Sequence, residues 1–563
     1  MYVDRCTAKG AGGKTYIRYL LRESKREGKK TIKTTILNIT PWGEKTCEAI
    51  HFALKHQKRL GAFGIASNDL RKIGEARALT QTDPIGDVWL LHQMATNNGI
   101  VAALGDSRQG RLALWQIMAR IIHQGSRLSA TRLARNREID FLQLGKFSEE
   151  DLYKNLDWIA EHQHRIENAL YKQRQGKRRH VNKPCKLFLY DVTSSYFEGT
   201  ENELANYGYN RDKKRGKMQI VVGLLCDDEG VPITIEVFEG NTSDTKTFHS
   251  QIRKVADRFQ AEQVVFVGDR GMIKSVQQQE LTVEGFGFIT ALTKPQIKTL
   301  IDRGVVQLEL FDENVSEVVL AEGKRYVMRR NPIRAQEIAF SRASKLHSLQ
   351  DFVSQQNEYL GKHPRAVLAT ALKRVHARAA RLNIDQWIEC ASDPAERTII
   401  VNVKESKLQE ISLLDGCYCL TTSLSKEAMD KEQVHARYKD LALVEEAFRG
   451  CKTGHLEVRP IYVRKAERTR AHVFVVMLSY LFVRELRERW REVDATVEEN
   501  ILALSSLCGV RLRMKGESEI YMIPRPRRDL ERLFALLEVP PPVMLPKGRT
   551  SADTERKLKS RRK

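Results

Sequence analysis

The spacing of apolar positions changes several times along the chain. Residues 2–39 read as strand, basic turn, strand: Tyr16 to Leu21 is apolar-rich, Arg22 to Lys30 is charged, and Thr31 to Ile39 alternates. Pro41 ends that run. Residues 45–170 carry apolar residues mostly at helical period, with Arg111 to Ile122 the clearest amphipathic stretch. Gly125-Ser126 breaks it, and Ser129 can cap a second helix running through Arg137. Helix, short glycine turn and basic helix make a weak helix-turn-helix signal, set against ordinary bundle packing. Gln173 to Lys183 is polar, basic and glycine-containing, and reads as a linker or exposed arm.

Beyond it the pattern switches to short buried strands. Lys186 to Val192 is one, with Asp191 near its end, and Val264 to Asp269 is another that ends in an acid. Gln219 to Cys226 and Pro232 to Phe238 flank Asp227-Asp228-Glu229-Gly230, a hairpin turn signal, and Asp244 to Phe259 is helical. Strands with interleaved helices give an α/β plan. Between 295 and 430 the stretches Val305–Leu310, Val315–Leu320, Arg325–Met328, Thr398–Val403 and Gly416–Thr421 look like strands, and Leu346 to Ile384 looks helical. That region reads as an insertion of mixed structure. Residues 431–490 are strongly helical. Their most apolar run, His472 to Val483, is shorter than the ~20 residues a bilayer needs, so it predicts a buried helix and no membrane association. The segments are 1–42 (basic hairpin), 43–172 (helical, DNA-binding), 173–184 (linker), 185–294 and 431–490 (the two parts of a core), 295–430 (insertion), 491–546 (C-terminal region) and 547–563 (basic tail, read as disordered).

Charge sharpens this picture. The 563 residues hold 94 Lys plus Arg against 71 Asp plus Glu, a net of +23, which attracts polyanions. The excess is uneven: residues 1–180 carry 32 basic and 18 acidic side chains, whereas residues 181–290 carry 13 and 16. Phosphate contacts want Lys and Arg, and divalent cations want clustered carboxylates, so an acidic middle between basic flanks suits a protein that grips nucleic acid beside metal ions. Nine cysteines with no C-x-x-C pair exclude zinc-ribbon and thioredoxin motifs and fit reduced thiols in a cytoplasm. The polar opening Met1 to Gly10 predicts no signal peptide.

Asp191 and Asp269 each close an apolar strand, where an acid is cheap to expose, and two on neighbouring strands can share a site. Turn or cap duty is the competing reading for either alone. A third acid comes from Tyr438 to Lys452. On one helix, Tyr438, Glu445, Arg449 and Lys452 fall within about 60° of arc, opposite Leu443, Val444, Ala447, Phe448 and Cys451. Glu446 lies off that stripe, so Glu445 is the acid preferred. A hydroxyl, an acid and two cations in one line can hold a phosphodiester beside a metal; a solvated face with a Glu445–Arg449 pair is the equal alternative. With Asp191 and Asp269, Glu445 could bind two divalent ions about 3.5–4 Å apart.

These motifs, Y-D-V-T-S-S-Y-F-E-G at 190–199, V-F-V-G-D-R-G-M at 265–272 and Y-K-D-L-A-L-V-E-E-A-F-R-G-C-K at 438–452, resemble the DDE transposases of bacterial insertion sequences. The narrower likeness is to the group with a Y-x2-R-x3-E-x6-K signature. The resemblance covers residues 186 to about 490 well and the first 180 loosely. It implies a ribonuclease-H-like catalytic core, a β-rich insertion before the Glu, a mainly helical N-terminal domain and a helical C-terminal region. It places the catalytic, metal-holding triad on Asp191, Asp269 and Glu445, and the signature Tyr and Lys on Tyr438 and Lys452. The signature Arg position is Leu441, a departure for which Arg449 is the candidate substitute. Ala442 stands where some relatives carry a Trp associated with hairpin intermediates, so a hairpin route is not supported. Arg270 and the basic loop Arg211, Lys213, Lys214, Arg215 and Lys217 are further candidates for DNA contact, and Lys177 to Arg179 for nonspecific backbone binding. The implied cofactor is Mg2+, two ions, with Mn2+ as a substitute. The implied partners are double-stranded DNA, as terminal inverted repeats and as target, and a second copy of the chain on paired ends, in the nucleoid of a cytoplasm. A structure-specific nuclease of the same fold and a DNA-binding protein that has lost catalysis stay open.

Overall fold

The computed structural model describes residues 2–9, 15–27, 30–55, 76–180, 187–212, 214, 216–255, 264–321, 323–452, 456, 458, 461–514, 519–543 and 550–553. The chain divides into two compact units, one of residues 1–159 and 482–563, the other of Ala160–Leu481. None of the described helices is long and apolar enough to cross a membrane.

The first unit opens with a three-stranded antiparallel sheet, Tyr2–Lys9, Thr15–Glu27 and Lys30–Asn38. The charged stretch Arg22 to Glu27, read above as a turn, is strand instead: it pairs with Lys30 to Thr35, and Arg22 bridges to Asp4 on the neighbouring strand. Val3, Tyr19 and Ile39 bury one face against Cys47 of helix Glu44–Lys55. Helices Arg108–Ile122 and Arg127–Ala134 form, the second ending at Ala134 and not Arg137, and its cap is Ser126, whose hydroxyl accepts from Ser129 N, and not Ser129 itself. The C-terminal part is mixed, not purely helical: strands Cys508–Met514 and Glu519–Met522 form a sheet with Ala76–Pro84. Residues Ser551–Asp553, in the tail read as disordered, run parallel to Lys146–Ser148; residues 554–563 lie outside the described residues.

The second unit is mixed α/β. Helix α1, Glu149–His180, begins in the first unit's residues and continues into the second, and takes in residues 173–180 of the predicted linker; residues 181–186 lie outside the described residues. The strands that follow are β1 (Leu187–Tyr196), β2 (Gln219–Asp227), β3 (Pro232–Glu239), β4 (Val265–Gly268), β5 (Gly287–Ala291), β6 (Ser316–Val319), β7 (Arg325–Arg330), β8 (Ile388–Asp393), β9 (Thr398–Val403) and β10 (Cys417–Thr422). Eight of them make one sheet in the order β6-β7-β10-β5-β4-β1-β2-β3. β1, β4 and β5 are parallel; every other neighbour is antiparallel. Three strands of the 295–430 stretch therefore extend the main sheet. Val305 to Leu310 is turn and a 3-10 turn, not strand. After α3 (Ser275–Val283) and α4 (Lys294–Asp302), helices α5 (Pro332–Lys362), α6 (Leu368–Leu382) and α7 (Glu405–Ser412) with the β8–β9 hairpin surround a separate small core of Leu349, Val375, Trp387 and Ile399.

All nine residues of β2 are buried, which is why it reads as a continuous apolar run with no alternation. On one face of the sheet Phe188, Tyr190 and Val192 join Phe266, Phe248 of helix α2 (Asp244–Arg253) and Tyr171 of α1 in an aromatic core. Ring centroids there lie 5.4–6.4 Å apart. Strand alternation sends Asp191, Thr193 and Ser195 to the other face. There they meet helices α9 (Leu441–Lys452) and α10 (Ala466–Arg489), whose Phe448, Cys451, Val473 and Val476 line a small cavity of about 20 Å³ with Thr193 and Ser195. The hydroxyl of Ser195 has no hydrogen-bond partner among the described residues.

Candidate active site

The two aspartates are brought together by strand register. Tyr190 of β1 pairs in parallel with Gly268 of β4, so the next residue on each strand, Asp191 and Asp269, stands beside the other. Asp191 is half-buried and its Oδ1 accepts from Val192 N at 2.7 Å. Burial, with Asp269 and Glu445 nearby, pushes its carboxyl up to about 7, against the pull of Arg211. Asp269 is exposed; its Oδ1 accepts from Arg270 N at 2.7 Å and from Tyr438 Oη at 3.2 Å. Burial beside these two acids holds the Tyr438 phenol well above its ordinary value, so it stays a donor.

The third segment differs from the single stripe expected. It is two helices, α8 (Lys431–Lys439) and α9, broken at Asp440, whose N–H donates to the carbonyls of Ala436 and Arg437 while its own carbonyl accepts from Leu443 N. α8 packs over β4, β5 and β7, and α9 over β1 and β2. Neighbouring strands rotate by roughly 20–25°, so one straight helix cannot follow both pairs, and no Gly or Pro marks the break. Within α9 the predicted faces hold: Val444, Ala447, Phe448 and Cys451 are buried, and Glu445 and Arg449 are exposed. Tyr438 therefore reaches Asp269 from a different helix from the one that carries Glu445.

Lys452 is the larger departure. Its side chain is only 12% exposed, and its Nζ donates to Thr193 Oγ1 at 2.6 Å and to Asp212 Oδ1 at 3.1 Å, away from the exposed stripe. Two of the three described cations of the basic loop are likewise ion-paired. Arg211 bridges to Asp244 at 2.7 Å, and Lys217 to Glu198 at 2.8 Å. Lys214 is exposed and lies 5.8 Å over the Tyr196 ring; Lys213 and Arg215 lie outside the described residues. Arg178, expected to bind DNA nonspecifically, is buried and ion-paired to Asp227 and Asp228. Arg270 is exposed beside Asp269. Asp212 and Asp244 were missed by sequence reading. Asp212 sits inside a basic run, and only the fold brings Lys452 to it across 240 positions.

The donor set is three carboxylates, the oxygen chemistry that hard divalent cations take. The Asp191 carboxyl is raised first by burial and then by the charges of Asp269 and Glu445, a repulsion that a bound cation would offset. The residues fit such an ion in kind. As they stand, no three His, Cys, Asp or Glu side chains among the described residues form a closed ligand cluster.

A mixed α/β sheet with two aspartates on adjacent parallel strands and a glutamate on a covering helix defines a class of carboxylate-centred proteins. The chain belongs to the transposase DDE domain family, whose profile matches residues 184–482 and so takes in all three acids. No curated protein matches. Among solved structures, the cryo-EM structure of the piggyBac transposase synaptic complex with hairpin DNA is similar at a TM-score of 0.29 and 8% identity, over 63% of this chain and 52% of that one. This chain thus spans about half the length of that transposase, and so weak a likeness carries no argument about fold or mechanism.

Proposed function

We propose that the protein is a DNA transposase that binds the terminal inverted repeats of its element, hydrolyses the phosphodiester at the ends, and joins the freed 3′-OH to target DNA. The observation that carries this reading is the β1–β4 register that sets Asp191 beside Asp269, with Glu445 close enough to raise the Asp191 carboxyl. We read the order β3-β2-β1-β4-β5, with its last three strands parallel, as a ribonuclease-H-like core, and the family assignment supports that reading.

In this proposal Asp191, Asp269 and Glu445 hold Mg2+, two ions, with Mn2+ able to replace it. When bound, such ions activate water or a 3′-OH and neutralise charge at the leaving oxygen. The chain's own residues do the rest. Asp191 gives up its proton before it can ligate. Tyr438 holds Asp269 in one orientation. Arg270 next to Asp269, Arg449 one turn beyond Glu445 on α9, and Lys214 of the basic loop are exposed cations and are proposed to take DNA phosphates, with Lys213 and Arg215 of the same loop. Two copies on paired ends are proposed as the working assembly. Both cleavage and joining are in-line displacements at phosphorus, so one set of acids serves both.

The test is incubation of the full-length protein with DNA carrying the natural flanks of its gene and Mg2+, wild type beside Glu445→Gln. Breaks at the flanks and joined products from wild type alone support the proposal. Breaks without joining would point to a nuclease, and tight flank binding without breaks to a DNA-binding protein that has lost catalysis.

A further inference from the structure

The helix that carries Glu445 is held at both ends. At its start Leu443 packs against Gly230 in the β2–β3 turn, so closely that a Cβ built on Gly230 would lie 2.5 Å from the Leu443 Cβ. At its end Lys452 is fastened to Thr193 and Asp212. Thr193 lies two residues beyond Asp191 on the same face of β1. The Lys452 anchor and the first acid therefore share one strand face, and Glu445 lies on the stretch of α9 between its two fixed points.

Asp212 is built into this anchor. Its side chain is 4% exposed, its Oδ2 accepts from Tyr196 N at the end of β1, and its own N–H donates to Asn210 Oδ1. To reach out to a phosphate, Lys452 would have to leave Thr193 and Asp212, and so withdraw its ammonium from a carboxylate that is itself buried. We infer that Asp212 is a positioning residue, fixing Lys452 against β1 so that α9 holds Glu445 opposite Asp191, and that Lys452 serves the acid centre through this clamp and is not a phosphate contact. The inference rests on the reading of the three acids proposed above.

The experiment uses the full-length protein as wild type, Lys452→Met, Asp212→Asn and the double variant. Mn2+ binding without DNA is followed by electron paramagnetic resonance, and binding to a flank duplex is followed across 50–200 mM salt. The inference expects each single variant to weaken Mn2+ binding by about 10-fold or more, as loss of supporting residues around a metal does. The double variant should be no worse than the singles, and the slope of log K against log salt should stay at the wild-type value. A phosphate role would instead leave Mn2+ binding intact, lower that slope by about 0.9 in Lys452→Met, and tighten DNA binding in Asp212→Asn; that result overturns the inference. Should these variants not fold, Lys452→Arg keeps the charge but misplaces it. Weaker Mn2+ binding with an unchanged salt slope supports the clamp, and wild-type Mn2+ binding refutes it. Failure of the underlying reading looks different, because wild type would then bind Mn2+ no better than Glu445→Gln does.

Discussion

The hydroxyl of Tyr438 donates to Asp269 across a sequence separation of 169 residues, and it does so from a helix other than the one that carries Glu445. The second acid is thus oriented by one helix and faced by another. The break at Asp440 lets both contacts exist. A phenol held protonated by burial, and then by the neighbouring carboxylates, serves as a fixed donor across the whole working pH range.

Tyr438→Phe keeps the ring and removes only that donor. A hydrogen bond to a charged group contributes about 1.5–3 kcal/mol where it is well formed, and at 3.2 Å to an exposed acceptor the lower figure applies. The expected result is a modest loss of folding stability, within about 1.5 kcal/mol by urea titration, and a fall of about 10-fold in Mg2+-dependent cleavage as Asp269 loses its fixed rotamer. An unchanged cleavage rate would show that Arg270 N alone sets Asp269.

The raised carboxyl of Asp191 ties metal binding and stability to pH in opposite directions. An ordinary Asp loses its proton near 3.8, and this one near 7. The folded protein therefore binds the proton more tightly than the unfolded chain, and stability falls as pH rises from about 4 to about 7. A divalent cation competes with that same proton, so Mn2+ affinity should climb over the pH range up to 7 and level above it. Asp191→Asn should flatten the stability profile in EDTA and abolish high-affinity Mn2+ binding. Urea midpoints at pH 4 to 8 and Mn2+ titrations at the same pH values check both. A wild-type stability profile already flat in EDTA would mean the acid is ionised throughout.

How far the sequence foretold this site depends on the residue. Asp191 and Asp269 were legible because each ends an apolar run, and parallel pairing of two such runs puts their ends together. The buried side of α9 was legible from its period. The break at Asp440 was not, because Asp is neutral to helix continuation and the cause is the twist of the strands beneath. The partly buried, paired state of Lys452 was not legible, for the same reason as that of Arg178. A cation next to a functional motif looks like a phosphate ligand until the fold supplies a buried acid, Asp212 for one and Asp227 for the other. The large sheet was partly legible: its parallel centre was read as α/β, whereas β6, β7 and β10 were assigned to an insertion although they continue the same ladder.

His435, three residues before Tyr438, gives α8 an acid-sensitive hold. Its ring is buried, stacks on Tyr418 and hydrogen-bonds the Tyr418 hydroxyl. Burial, together with Lys439 and Arg329, pulls it down to about 4 from 6.5. A histidine kept neutral in the folded state stabilises it above pH 6.5, and that contribution is lost as pH falls toward 4. His435→Gln should lose stability at pH 7 yet show a shallower decline between pH 6.5 and 4 than wild type. Thermal melts over that range decide it, and parallel declines would show that His435 titrates normally.

Gly230 tests whether the start of α9 needs its tight seat. Its φ is +74°, in the region that favours glycine, and the Leu443 Cβ leaves no room for a side chain. Gly304 shares the backbone strain, at φ +69°, but a Cβ there would meet nothing within 4 Å. Gly304→Ala should therefore cost only the conformational part, about 1 kcal/mol. Gly230→Ala should cost that plus the overpacking of a closed contact, a further 1–3 kcal/mol or so. The difference between them isolates the push on Leu443. If that push moves the helix, Gly230→Ala also weakens Mn2+ binding in protein that remains folded, while Gly304→Ala does not. Equal losses of stability in the two variants would mean α9 yields freely at Leu443, leaving the Lys452 end as its one firm attachment beside the acids.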